Sequence, residues 1–129
     1  MMSQNPLNRI MYVEDDPSIQ RLVQLTLERV GGFQVQVCDS GEQALRDVSE
    51  FKPDLILLDV MMPGMDGPQT LAALREAPTT ERIPVVFMTA KAGADEVRQL
   101  MAMGVQGVII KPFNPMTLAA EIQTIWDAI

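Results

Sequence analysis

Five short stretches read as strands along the chain: Arg9-Ile10-Met11-Tyr12-Val13, Phe33 to Cys38, Leu55-Ile56-Leu57-Leu58, Pro84-Val85-Val86-Phe87-Met88 and Gly107-Val108-Ile109-Ile110. A continuous run such as Leu55 to Leu58, closed by Asp59 and a Pro/Gly-rich turn, predicts a strand buried on both faces of a parallel sheet. The intervals carry helical spacing instead. Asp16 caps a first helix with Pro17 at its first position, Ile19, Leu22, Val23, Thr26 and Val30 form its inner stripe, and Gly31-Gly32 end it. Ser40-Gly41-Glu42-Gln43 reads as a capping box for a second helix that turns Ala44, Leu45 and Val48 inward.

Asp66 caps a third helix, with Gly67-Pro68 in its first turn and Leu71 and Leu74 facing inward, and Ala77-Pro78-Thr79-Thr80 breaks it. Val97, Leu100 and Met101 mark the inner face of a fourth helix, which Gly104 ends. Asn114, followed by Pro115, caps a fifth, lined on its buried side by Leu118, Ile122, Ile125 and Ile129. Strand and helix thus alternate five times with short connections. This predicts an α/β fold of three layers, a parallel five-stranded sheet covered by helices on both faces, in one domain over residues 8–129 after a short disordered lead, residues 1–7.

Strand ends in a parallel sheet point the same way, and ligands bind along the carboxyl edge of such sheets. The first strand delivers Glu14, Asp15 and Asp16 to that edge, the third Asp59, the fourth Thr89 and the fifth Lys111. Taken singly, each has an ordinary explanation: Asp59 opens a turn, acidic residues cap helices, Thr suits strands and Lys is solvated. Together they suit one chemistry. Carboxylates converging without histidine or thiol make a hard, all-oxygen site, for which Mg²⁺ is the natural occupant. With their repulsion neutralised, Asp59 can attack a phosphoryl group as a nucleophile. Mg²⁺, Lys111 and the Thr89 hydroxyl would each take one phosphoryl oxygen, and the small Ala90 leaves room.

Composition narrows the partners. The 129 residues carry a net charge of −7 and a pI of about 4.4, which argues against direct binding of nucleic acid or of an anionic membrane. No histidine is present, so imidazole catalysis, imidazole metal ligation and a phosphohistidine on this chain are excluded. The single Cys38 excludes an internal disulfide. No membrane span or signal peptide is legible, and the expected setting is cytoplasmic. Met1-Met2 reads as a natural start, while the end at Ile129 reads equally as a terminus or a boundary within a longer protein. The ten methionines read as adaptable core or interface filler, and Trp126 as a packing residue or a partner anchor.

Glu14-Asp15, Asp59 followed by Met-Met-Pro-Gly-Met-Asp-Gly, Met88-Thr89-Ala90 and Lys111-Pro112-Phe113, in that order, resemble the receiver domain of bacterial two-component response regulators over about residues 8–128. The resemblance implies a flavodoxin-like sheet of order 2-1-3-4-5. It also implies a phosphoacceptor at Asp59, supplied by a sensor histidine kinase or histidine phosphotransfer protein. Mg²⁺ would be held by Asp15, Asp59 and the Met61 carbonyl, with Glu14 acting through water. It further implies a cis peptide before Pro112 that aims Lys111, and a Thr89 movement that shifts the fourth helix and fifth strand.

The expected function is therefore a stand-alone receiver, a signalling module rather than an enzyme, acting on a downstream protein, with a homodimer compatible. One departure stands out: the family often carries an aromatic residue three positions before the lysine, where this chain has Val108. Met61 and Lys91 flank the approach of a hydrolytic water and are expected to influence phosphate lifetime. Three other readings compete. An aspartate-nucleophile phosphatase wants a second Asp at position 61, which is Met. A flavin-binding protein wants a phosphate loop where Glu14-Asp15-Asp16 stands. A phosphorylation-independent interaction module is favoured only by Val108. A receiver excised from a larger regulator or hybrid kinase is the remaining variant.

Overall fold

A computed structural model describes residues 5–129. The elements alternate as read: β1 (Arg9–Val13), α1 (Pro17–Arg29), β2 (Gln34–Cys38), α2 (Gly41–Phe51), β3 (Leu55–Asp59), α3 (Gly67–Glu76), β4 (Val85–Thr89), α4 (Ala94–Met101), β5 (Gly107–Ile110) and α5 (Leu118–Asp127). All strand pairs are parallel and the sheet order is β2-β1-β3-β4-β5. The central strands β3 and β4 are buried at every position, as their continuous apolar runs require.

Because side chains alternate across a strand, each central strand feeds two cores. Ile10, Tyr12, Leu55, Leu57, Val86 and Met88 pack with Val23 and Leu27 of α1 and Leu118 and Ile122 of α5. Met11, Val13, Ile56, Leu58, Val85 and Phe87 pack with Ala44 and Val48 of α2, Leu71 and Leu74 of α3 and Leu100 of α4. This is the expected three-layer arrangement, with the sheet in the middle.

The helix starts follow their caps. Asp16 accepts a hydrogen bond from the Ser18 N–H, and Ser40 from the Gln43 N–H. The Gln43 side chain answers to the N–H of Asp39, one residue before the cap. Asp66 and Gln69 form a reciprocal capping box that fixes the start of α3.

Several inward assignments fail at helix ends and flanks. Leu22, Val30, Met101 and Ile129 are exposed. Val30 and Ile129 lie beyond the last regular turn of α1 and α5, where Phe33 and Trp126 fill the space instead. Leu22 sits one position, about 100° of helix rotation, from the buried Val23. On the short α4, Leu100 alone is buried.

Asn114 begins a turn rather than the helix proper. Its side chain accepts from the Met116 N–H and its carbonyl from the Thr117 and Leu118 N–H groups, and regular helix follows from Leu118. The lead also differs from expectation. Leu7 is buried in the core beneath α1 and α5, and the Trp126 indole N–H donates to the Asn5 carbonyl at 3.0 Å. Leu7 is therefore packed as an apolar plug ahead of β1 and Asn5 is tied to α5, while Asn5 and Pro6 stay exposed; residues 1–4 lie outside the described residues. Trp126 is a packing residue.

Candidate functional site

The carboxyl edge is assembled by backbone hydrogen bonds that carry strand pairing past the strand ends. The Glu14 N–H bonds the Cys38 carbonyl, the Val60 N–H the Met88 carbonyl and the Lys111 N–H the Thr89 carbonyl. The ends of β1 and β2, and those of β3, β4 and β5, are thereby locked side by side. The Gly67 N–H returns to the Val60 carbonyl and closes the loop after Asp59.

Gly67 has to be glycine for a steric reason. A Cβ there would lie 2.6 Å from the Asp59 carbonyl oxygen and 2.8 Å from the Val60 Cα, both backbone atoms that cannot step aside. Gly67→Ala is expected to cost about 1–3 kcal/mol of stability, the usual range for overpacking, and to push the 60–66 loop off Asp59. Urea unfolding checks it, and a midpoint equal to the parent's would disprove the clash.

The side chains then converge. Glu14, Asp15 and Asp59 offer carboxylate oxygens that all lie within 4.8 Å of one another. Glu14 is 2% exposed and Asp59 3%, while Asp15 faces solvent. The Lys111 ammonium reaches into the cluster, 2.7 Å from Asp59 Oδ1 and 3.0 Å from Glu14 Oε1, across a Lys111–Pro112 peptide that is cis. Thr89 is 2% exposed at the neighbouring strand end, and its Oγ1 accepts from the Lys91 N–H at 3.1 Å. Met61 stands two residues past Asp59 with its side chain 63% exposed. Val108 packs as an ordinary strand residue against the core beneath α2, α3 and α4.

Electrostatics follow from that crowding. Burial pushes the Asp59 carboxyl up to about 6, helped by the charges of Glu14 and Asp15 and opposed by Lys111. Burial works to lower the Lys111 ammonium, but its bonds to Asp59 and Glu14 outweigh it and the net shift is upward. A cation is thus wanted at this spot, and the lysine supplies one charge against three carboxylates. Oxygen donors alone, at this spacing, suit a hard divalent cation.

Of the polar residues selected from the sequence, Glu14, Asp15, Asp59 and Lys111 come together; Thr89 stands at the neighbouring strand end, Asp16 caps α1, and Met61 lies in the adjoining loop. Two contributors were not anticipated. The Tyr12 hydroxyl approaches Glu14 Oε1 at 3.3 Å, and the Gln20 side-chain amide of α1 donates to the Glu14 carbonyl. The two-residue spacing of Tyr12 and Glu14 along an extended chain was the available signal for the first; nothing in the sequence marks Gln20.

The profile of the response regulator receiver domain matches residues 10–123. The chain belongs to the response regulator receiver family. Among sequence relatives, the DNA-binding response regulator MtrA of Mycolicibacterium smegmatis is 38% identical over 115 residues, 89% of this chain but 49% of MtrA. The phosphate regulon transcriptional regulatory protein PhoB of Rhizobium meliloti is 34% identical over 91% of this chain and 51% of its own length. The chain therefore spans about half the length of these regulators.

Among solved structures, the chemotaxis response regulator CheY4 of Vibrio cholerae superposes with a TM-score of 0.84 at 29% identity, covering 93% of this chain and 99% of that one. The BeF3-activated N-terminal receiver domain of Klebsiella pneumoniae RstA gives 0.80 at 32% identity, over 91% of this chain and 97% of the other. Receiver membership implies interaction with histidine kinases or phosphotransfer proteins. No helix among the described residues is long and apolar enough to cross a membrane.

Proposed function

We propose that this receiver takes a phosphoryl group onto Asp59 and uses it to switch a protein-binding surface. The observation that carries the proposal is the Lys111 ammonium held 2.7 Å from a buried carboxylate that two other carboxylates crowd. Such a carboxylate is unpaired with solvent, desolvated and aimed at a cation. In the transfer, an Asp59 oxygen attacks phosphorus, an O–P bond forms, and the N–P bond to the donor's imidazole breaks, the electron pair leaving with the ring nitrogen.

Asp15, Asp59 and the Met61 carbonyl would hold Mg²⁺ directly, with Glu14 acting through water. The ion would supply charge neutralisation for the carboxylates and an incoming phosphoryl oxygen. Lys111 exchanges its carboxylate partner for a phosphoryl oxygen, and the Thr89 hydroxyl, whose proton is free to donate, takes another. Next to Lys111, Ile19, Leu22, Ala90, Pro112 and Phe113 line an apolar groove of about 350 Å³, which suits the docking of a kinase or phosphotransfer helix beside the nucleophile.

The output reading rests on α4. It buries one residue and carries exposed Met101 and, just beyond its end, Met103. An element so lightly packed is the one a local rearrangement at Thr89 can displace. Val108 supplies no aromatic ring for that relay, so the shift is assigned to the backbone of β4 and α4.

Incubation with MgCl₂ and acetyl phosphate, followed by intact mass measurement, tests the proposal. One acid-stable, base-labile phosphoryl adduct is expected. An unchanged mass would remove the phosphoacceptor reading and leave a phosphorylation-independent interaction module.

A further inference from the structure

Tyr12 is the single tyrosine of the chain and is fully enclosed in β1, within the core beneath α1 and α5. A phenol buried that deeply needs a partner for its hydroxyl. That partner is Glu14 Oε1, which also receives the Lys111 ammonium; Glu14 Oε2 receives the Asp16 N–H at 3.2 Å. These three donors hold the Glu14 carboxylate, and they differ in permanence. Lys111 has to turn toward a phosphoryl oxygen when one arrives, and Asp16 sits exposed at the start of α1. The tyrosine ring alone is fixed by core packing on all sides.

We infer that Tyr12 is a positioning residue that holds Glu14 in place for the divalent cation, an inference that rests on the Mg²⁺-dependent reading of the site. The 3.3 Å separation is long for an O–H···O bond, as expected while Oε1 is shared with an ammonium. Release of Lys111 leaves the phenol as the donor to that oxygen and lets the bond shorten. Without the hydroxyl, a buried carboxylate with one donor fewer collapses toward Lys111, and a cation must then compete harder for the cluster.

Calorimetric titration with MgCl₂ of the full chain, Tyr12→Phe, Glu14→Gln and the double variant decides the matter, with melting temperatures in EDTA recorded alongside. Tyr12→Phe keeps the ring that fills the core. It is expected to weaken Mg²⁺ binding about tenfold, the low end for a group that orients a metal ligand. In the Glu14→Gln background the same change is expected to shift affinity less than about twofold, because the hydroxyl acts only through that carboxylate. A purely structural role would instead lower affinity equally in both backgrounds, and that result overturns the inference even if Tyr12→Phe melts lower. So does a parent that binds Mg²⁺ no more tightly than Tyr12→Phe; both results leave the phosphoacceptor reading standing. A parent that binds no Mg²⁺ removes both.

Discussion

Asp59→Asn is expected to gain no phosphoryl group from acetyl phosphate and MgCl₂ under conditions where the parent is expected to gain one. The amide keeps the shape and burial of the side chain but offers no anionic oxygen to attack phosphorus. The loss is therefore complete rather than graded. Lys111 also bonds Glu14 at 3.0 Å, a contact the substitution does not touch, so the edge is expected to stay assembled and a missing adduct would report chemistry rather than collapse. Intact mass reads the result directly. An adduct of equal yield on the variant would move the nucleophile to Glu14 or Asp15, the two carboxylates within reach of the same spot.

The second large effect is on stability. Without Mg²⁺, the folded Asp59 carboxyl titrates near 6, whereas an unfolded aspartate titrates near about 3.9. Between those values the native state binds the proton that the unfolded state has released. Stability is therefore fully present below about pH 4 and is lost as pH rises through about 6. A two-unit separation corresponds to about 3 kcal/mol at most, and relaxation around a coupled cluster reduces it to an expected 1–3 kcal/mol, on the order of several degrees in melting temperature.

Asp59→Asn lacks this penalty. In EDTA it is expected to melt above the parent at pH 7 and level with it near pH 4. Mg²⁺ should reverse the order, raising the parent most where Asp59 is charged, and Asp15→Ala should abolish that rise. Melting curves across the pH range check it; a parent–variant difference that does not change with pH would contradict the assigned burial of charge.

The sequence by itself determined the sheet and which residues reach its edge. Leu55 to Leu58 and Val85 to Met88 are apolar without interruption, and only a strand covered on both faces accommodates that. Five such alternations force a parallel sheet, and a parallel sheet brings Glu14, Asp15, Asp59, Thr89 and Lys111 to one side whatever their separation along the chain. Local caps were legible for the same reason: Asp16, Ser40 and Asp66 bond backbone groups two or three residues away.

Tertiary structure decided what distance alone can decide. Helical periodicity proposes a stripe, but not where the sheet ends beneath it, so Val30 and Ile129 fell outside while Trp126 and Leu7 closed the gap. Lys111 bridges Asp59 and a carboxylate 97 positions earlier, and the sequence carries no measure of whether two groups at one edge stand 3 Å or 10 Å apart. The raised pKa of Asp59 and the hold of Tyr12 on Glu14 arise from that same close packing, which excludes water and leaves each charge dependent on the few neighbours the fold has put beside it.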